Sequence, residues 1–340
     1  MTAFRKKIAT NYIINAILVA ILFVVLVILI NTGVISRYNT GILTLVCINV
    51  ILAVSLNLVT GILGQLVLGH AGFMLVGAYA SSLFTLNSNL PLEISFPISL
   101  ILAGMVSAVF GFVIGIPALR LRGDYLAIIT LGFGEIIRVV SYNLKITNGS
   151  MGLSGMGTLS NRENPSPMFI YAFLIAVVVI VIMFTFGRSR HGRAVISIRE
   201  DEIAAESMGI NTVYYKLFAF VLAAFIAGVA GGIYAHHIQM IDPAKFDFNR
   251  SVEILIMVVL GGMGSITGSV ISASVLTALP EWLREFSQYR MVLYSAILII
   301  VMLFRPSGLL GRNEISVPKI LANIKKRIAN KKVPSDAKEE

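Results

Sequence analysis

The polar residues with the potential for chemistry lie in short interruptions of long apolar runs. None of these interruptions has the spacing of a phosphate-binding loop (GxxxxGK followed by Ser or Thr), a zinc hydrolase (HExxH) or a serine hydrolase (GxSxG). The four histidines are scattered, and the single cysteine, Cys47, lies inside an apolar run. We therefore predict no catalytic residue, no metal site and no cofactor in this chain.

Two glycine-rich interruptions are candidates for a translocation pathway. Irregular backbone is tolerated at membrane depth only where protein or a water-filled cavity satisfies its polar groups. One interpretation is that each interruption is a broken helix that lines a path. An equal alternative is that its small residues pack helices together. A structural hydrogen bond is the commoner role for a lone histidine such as His70. The two interruptions resemble each other, as in transporters built from repeats. The candidate pathway residues are Gly61, Gly64, Gln65, His70, Gly261, Gly262 and Gly264.

One pair of opposite charges falls within an apolar run. Glu135 and Arg138 are three residues apart, so they share one face of a helix. Charges within a membrane are costly and are usually paired or face the interior. We predict an intramembrane ion pair with a structural role, because a proton relay would need more carboxylates along the spans.

A longer polar segment, residues 187–214, predicts a helix outside the membrane that docks a soluble partner. Carboxylates in its first turns favour the positive end of the helix dipole, and Ala204, Ala205 and Met208 would form a small, smooth face. We place the docking helix at Ile198–Met208 and treat Arg188, Arg190 and Arg193 as topology anchors. The predicted docking residues are Arg199, Glu200, Glu202, Ala204, Ala205, Met208 and Gly209.

Apolar helices must position these segments. The chain of 340 residues is 57% hydrophobic and only 13% charged, whereas soluble proteins carry about 25% charged residues. We predict an all-α, polytopic membrane protein with about ten passages, including broken or re-entrant helices. Ser251–Trp282 is counted as two passages that are either full spans or a re-entrant pair. The clear spans are Tyr12–Ile30, Gly41–Val59, His70–Leu86, Phe96–Ala118, Pro167–Phe186, Tyr215–His237 and Met291–Phe304, with Tyr125–Tyr142 less clean.

The distribution of Lys and Arg predicts the orientation. With the N-terminus inside, 19 basic residues fall on the inner side and seven on the outer side. Cytoplasmic segments carry the excess of basic residues, so we predict cytoplasmic termini and a cytoplasmic segment 187–214. The transmembrane domain is then 1–312, and a basic cytoplasmic tail follows at 313–340.

Several stretches together resemble the branched-chain amino acid permease family of ABC importers, in particular its M-type subunit. Residues 202–209, EIAAESMG, resemble the cytoplasmic motif of ABC importer permeases that docks on the ATPase. The other stretches are LNLVTGILGQLVLGHAGFMLVGAYA at 56–80, LRLRGDYLAIITLGFGEIIR at 119–138, TNGSMGLSGM at 147–156 and VLGGMGSITGSVISA at 259–273. The motif departs from the family pattern in reading Glu-Ile-Ala-Ala-Glu rather than a bare Glu-Ala-Ala.

The resemblance implies a transport subunit, not an enzyme, in a bacterial inner membrane. Its partners would be an H-type permease, two ATP-binding subunits that hold ATP and Mg²⁺, and an extracytoplasmic binding protein. Leucine, isoleucine and valine would be the cargo, and Ile198–Met208 would be the coupling helix. Urea-type permeases share much of the pattern, so urea or another small polar solute is an alternative cargo. A stand-alone proton-coupled transporter is the alternative of a different class.

Overall fold

The computed structural model describes residues 2–121, 123–160, 164–286, 289–305, 308–311 and 314. The predicted basic tail 313–340 lies outside these residues except for Glu314. Twelve α-helices and two short strands form the described fold, together with a π-helical turn at Leu58–Ile62. The helices are α1 Thr2–Asn31, α2 Arg37–Asn57, α3 His70–Asn87, α4 Leu92–Ala118, α5 Asp124–Asn143, α6 Ser166–Arg188, α7 Arg190–Glu200, α8 Glu202–Ser207, α9 Thr212–Ile238, α10 Phe248–Gly261, α11 Ile266–Trp282 and α12 Arg290–Phe304.

Six helical segments of the described chain are long and apolar enough to cross a membrane. This finding supports the predicted all-α, multi-pass membrane protein, while the count of about ten passages stays a prediction. The six segments are Arg37–Ile62, Leu92–Ala118, Asp124–Asn143, Ser166–Arg188, Thr212–Ile238 and Ile266–Phe286.

Helix α9 lies against α3 and α4, and small residues allow the close approach. A Cβ added to Gly77 of α3 would overlap the backbone of Gly228 in α9. Gly104 of α4 lies against the ring of Phe225 in the same way, since a Cβ there would stand 2.6 Å from its Cε2. This is the packing expected of membrane helices, whose association depends on close van der Waals contact rather than on the hydrophobic effect.

Helix α2 connects this group to the rest of the bundle. It packs on α9 on one side and on α6, α10 and α11 on others. The side chains of its second half are buried, among them Ile48, Leu52 and Leu56. The two predicted helix breaks are present: the chain is non-helical from Leu63 to Gly69, and again from Gly262 to Ser265 between α10 and α11.

Two segments between helices pair with each other. The strand β1, Leu153–Ser154, runs antiparallel to β2, Met240–Ile241, with Leu153 opposite Ile241. Local hydrogen bonds from side chains to the backbone stabilise residues 147–152, as is common in turns that contain Asn and Thr. Asn148 Nδ2 donates to Gly152 O at 2.9 Å, and Thr147 Oγ1 donates to Leu144 O at 2.8 Å.

The prediction of one continuous docking helix over Ile198–Met208 is wrong. The chain forms α7 and α8 instead, and Asp201 separates them in an extended conformation with φ −156°. Its Oδ1 accepts hydrogen bonds from Ile203 N at 2.9 Å and Ala204 N at 3.0 Å. Asp201 therefore caps a new helix, because its carboxylate satisfies backbone donors that a continuing helix would have used.

Candidate functional site

Asn57, at the end of α2, connects that helix to the break between α10 and α11. Its side chain is fully buried. The Oδ1 atom accepts a hydrogen bond from Gly264 N at 2.8 Å, and the Nδ2 atom donates to Ser265 O at 3.1 Å. One asparagine side chain therefore satisfies the backbone N–H of Gly264 and adds a hydrogen bond to the Ser265 carbonyl, which also accepts from Ser269 N at 3.1 Å.

The backbones of the two predicted glycine breaks come into direct contact beside Asn57. A Cβ on Gly61 would overlap both the Asn57 side chain and the Gly264 backbone nitrogen. Gly264 itself has φ +93°, which a residue with a side chain rarely adopts. The sequence predicted two separate breaks, and the structure joins them at one place.

Arg199 of α7 reaches the same place from the polar segment. Its Nη1 atom donates to Gly61 O. Its aliphatic stem passes Gly64, where a Cβ would lie 2.8 Å from Arg199 Cγ. A Cβ on Gly264 would lie 3.1 Å from Arg199 Nη1. We call this cluster of Asn57, Gly61, Arg199, Gly264 and Ser265 the Asn57 junction.

A buried ion pair forms a second link from the polar segment to the bundle. Lys216 Nζ in α9 lies 2.7 Å from Glu202 Oε1 at the start of α8, and Lys216 is only 3% exposed. A buried lysine without a partner would be costly, so the pair holds α8 against α9. The predicted docking residues thus include two, Arg199 and Glu202, that face inward.

The exposed surface of α8 differs from the predicted one. Ala205 was expected on the smooth docking face, but it is 4% exposed because it packs toward the bundle. Ala204 is exposed, and the large apolar side chains of Ile203 and Met208 are 71% and 82% exposed. The predicted stop at Gly209 is in place: Gly209 N donates to Glu206 O at 2.9 Å, which closes the last turn.

The remaining pathway candidates adjoin the Asn57 junction or follow it along the chain. His70 is buried, and its Nε2 lies 2.8 Å from Ser55 Oγ, so it makes a structural hydrogen bond. The Oε1 atom of Gln65 is buried and has no hydrogen-bond partner in the described part of the chain. Gly261 packs on Gly268, where a Cβ would overlap the backbone.

The end of the described chain returns to this region, which sequence reasoning missed. Leu309 N donates to Leu260 O at 2.8 Å, and a Cβ on the predicted pathway residue Gly262 would overlap Gly311. Glu314 accepts hydrogen bonds from Ile266 N at 2.7 Å and Thr267 N at 3.1 Å. This carboxylate therefore caps α11, although the sequence placed it in the tail.

The predicted ion pair of α5 is present. Arg138 Nη2 donates to Glu135 Oε2 at 2.6 Å, and Arg138 Nε donates to the same oxygen at 2.8 Å. The Arg138 guanidinium also lies 5.8 Å from the centre of the Tyr142 ring. In the described residues, no group of three or more His, Cys, Asp or Glu could hold a metal ion.

A second polar cluster, absent from the predicted site, lies toward the other end of α2. Asn49 Oδ1 accepts from Arg250 Nη2 of α10 at 2.6 Å, and Asn49 Nδ2 donates to Thr277 Oγ1 of α11 at 2.8 Å. Arg250 Nη1 also donates to Glu253 at 2.9 Å. We call Asn49, Arg250 and Thr277 the Asn49 cluster. The sequence feature that could have indicated this cluster is a pair of asparagines eight residues apart in an apolar run.

A cavity of about 290 Å³ lies beside the Asn49 cluster. It is half-open and is bounded by α2, α3, α9, α10, α11 and the segment between α9 and α10. Its lining residues are Leu45, Asn49, Met74, Tyr234, Ile238, Lys245, Phe246, Arg250 and Thr277.

The sequence matches known permeases. The profile of the family described as "Branched-chain amino acid transport system / permease component" matches residues 38–304. The chain is 38% identical to the high-affinity branched-chain amino acid transport system permease protein LivM of Salmonella typhimurium, and 37% identical to that of Escherichia coli. Each alignment covers 69% of this chain and 61% of the relative.

A more distant similarity connects the chain to a differently named permease. It is 33% identical to the LivH permease protein of Salmonella typhimurium over 150 residues, which are 44% of this chain and 47% of that protein. No solved structure matches the chain. The match over residues 38–304 covers most of the 340 residues. The chain therefore belongs to the family of permease components of branched-chain amino acid transport systems.

Proposed function

We propose that this chain is a membrane-spanning permease subunit of an ATP-driven importer for leucine, isoleucine and valine. The observation that carries the proposal is the position of Arg199, which connects the polar segment to both helix breaks. Family membership and the names of the LivM relatives support the choice of cargo. The chain itself would be a transport subunit rather than an enzyme.

In this proposal the exposed face of α8 docks on a partner ATP-binding subunit. Ile203 and Met208 supply the apolar contact, which suits the core of a protein interface. Movement of α8 would reach α9 through the Glu202–Lys216 pair and the two helix breaks through Arg199. ATP and Mg²⁺ would be bound by two such partners, and this chain would need no cofactor.

The other proposed partners are an H-type permease subunit and an extracytoplasmic binding protein that delivers the cargo. The similarity to LivH supports a related second permease subunit. The excess of basic residues in the polar segment and the tail supports cytoplasmic termini in a bacterial inner membrane. About ten membrane passages, with the broken helices among them, are compatible with both termini on the cytoplasmic side.

The docking proposal is tested by Ile203→Asp and Met208→Asp. Each change places a carboxylate in the apolar contact, and loss of one well-buried anchor costs about 2 kcal/mol of binding. We expect normal membrane insertion but loss of ATP-binding subunits from the complex purified in mild detergent. The matched control is Met151→Asp, because Met151 is 79% exposed on a segment predicted to face the opposite side. Normal co-purification of both α8 variants would overturn the proposal.

The cargo is tested by uptake into proteoliposomes that contain the full complex and its binding protein. We expect ATP-driven accumulation of L-leucine and none of urea. Accumulation of urea alone would replace the proposed cargo. Uptake by the isolated chain, driven by a pH gradient without ATP, would overturn the ABC mechanism.

A further inference from the structure

The cavity beside the Asn49 cluster has a charge distribution suited to an anion. Of its nine described lining residues, Lys245 and Arg250 are basic and none is acidic. Lys245 is exposed in the 3₁₀ turn Pro243–Phe246, and its Nζ makes no ion pair in the described part of the chain. A small carboxylate in the cavity would therefore meet one unpaired ammonium group.

Arg250 is held in position, but two hydrogen bonds do not use all of its donors. Its Nη2 donates to Asn49, and its Nη1 donates to Glu253, which is not one of the lining residues. A guanidinium group carries five N–H donors in a fixed plane, and this geometry matches a carboxylate. The bond to Asn49 fixes the plane of the group, so a ligand would not have to order it.

The rest of the lining is largely apolar. Leu45 and Met74 come from α2 and α3, whereas Ile238 and Phe246 come from the end of α9 and the 3₁₀ turn that follows it. The ring of Tyr234 meets Phe246 edge-on, with 5.6 Å between the ring centres. A cavity lined by two basic side chains and several apolar ones is complementary to a short carboxylate with an aliphatic tail.

We propose that this cavity binds the cargo during transport, with Arg250 and Lys245 on the carboxylate and Leu45, Met74 and Ile238 around the aliphatic side chain. The inference rests on the proposed function and identifies a binding site for it within this chain. At about 290 Å³, the cavity is at the lower end of the range of ligand pockets, which fits a single amino acid rather than a peptide.

Protection of an introduced thiol from labelling tests the site. Ile238→Cys places a thiol in the cavity wall, and Met240→Cys is the matched control because Met240 is exposed nearby but does not line the cavity. The native Cys47 is buried and is the single cysteine of the chain. The full complex in membranes is labelled with a polar thiol reagent, with and without L-leucine, and its ATP-driven L-leucine uptake is measured in parallel.

We expect L-leucine to slow the labelling of Ile238→Cys and to leave Met240→Cys unchanged. L-leucinamide, which lacks the carboxylate, should not protect. Adding Arg250→Gln should raise the half-protecting concentration of L-leucine about tenfold, as expected for loss of a charge-assisted hydrogen bond. Lys245→Gln removes the other positive charge that lines the cavity. Lys245 is exposed, and its side chain makes no hydrogen bond to the rest of the described chain.

The outcomes separate the two proposals. Uptake without protection of Ile238→Cys, or protection that survives both Arg250→Gln and Lys245→Gln, would overturn the binding site and leave the proposed function standing. Equal protection by L-leucinamide would also overturn it. A complex that takes up no amino acid would overturn the proposed function and the site together.

Discussion

The Asn49 cluster and the Asn57 junction use the same residue type on the same helix in different ways. The two asparagines are eight residues apart on α2, which corresponds to about 12 Å along the axis. Each one connects α2 to both α10 and α11 or to the turn between them. Both side chains are buried, so burial alone does not distinguish them.

The difference lies in what the asparagines bind. Asn57 binds backbone atoms of Gly264 and Ser265, where the glycines leave no space for another group. Asn49 binds the side chains of Arg250 and Thr277, which border an open cavity. Backbone partners fix the position of a turn, whereas the side-chain partners of Asn49 keep unused hydrogen-bonding groups beside the cavity. The comparison indicates a closed junction at one end of α2 and a pre-ordered, unfilled site toward the other.

The largest expected effect comes from filling the Asn57 junction. Gly61→Ala places a Cβ onto the Asn57 side chain and the Gly264 nitrogen. Because neither can move away without breaking their hydrogen bond, we expect a loss of about 3 kcal/mol in the free energy of unfolding. The measurement is the thermal unfolding midpoint in detergent micelles.

Gly41→Ala is the matched control for this substitution on the same helix. A Cβ at Gly41 would lie 3.7 Å from His237 Cε1, an ordinary contact. Alanine also favours the helix over glycine, so we expect a change within about 1 kcal/mol in the stabilising direction. Equal midpoints for Gly61→Ala and Gly41→Ala would remove the claim that the junction is closely packed.

The asparagines themselves give an effect of intermediate size. Asn57→Ala leaves the Gly264 N–H without this partner and removes one of the hydrogen bonds to the carbonyl of the buried Ser265, at a cost of about 1–3 kcal/mol in unfolding free energy. Asn49→Ala should cost about 1 kcal/mol, because water in the cavity can reach Arg250 and Thr277. Thermal midpoints of the two variants check the order, and a larger loss for Asn49→Ala would reverse the comparison.

The sequence predicted the parts of the Asn57 junction but not their contact. Glycines in apolar runs indicated both breaks, although helix packing through small residues was an equal explanation for them. Arg199 was predicted to be an outward-facing docking residue. Instead its side chain donates to the carbonyl of Gly61, which is 138 residues away in the sequence. Local patterns carry no information on such distant contacts. The local sequence pattern did indicate the helix break at Asp201, because an Asp followed by Glu202 and a short apolar run is a helix-capping pattern.

Local sequence patterns could not predict the Asn49 cluster, for a related reason. Asn49 and Arg250 are 201 residues apart, and Arg250 alone indicated only membrane topology. An asparagine in an apolar run predicts a hydrogen bond without naming its partner. In contrast, Glu135 and Arg138 could be paired from the sequence because helical spacing alone brings them together.

The smallest expected effect tests whether helix capping adds to the difference between the two ends. Glu314 caps α11 near the Asn57 junction, and Asp247 caps α10 near the Asn49 cluster, where its Oδ1 accepts from Arg250 N at 3.1 Å. Glu314→Gln and Asp247→Asn each keep one acceptor oxygen, replace the other with an amide group and remove the charge. The hydrogen bonds of the second oxygen, from Thr267 and from Asn249, are exposed, so water can replace them. Each variant should therefore lose mainly its interaction with the helix dipole, about 0.5 kcal/mol of unfolding free energy. Similar thermal midpoints for the two variants would assign the difference between the ends to the asparagines and glycines. A loss for Glu314→Gln as large as that for Asn57→Ala would instead make the returning chain end a main support of the junction.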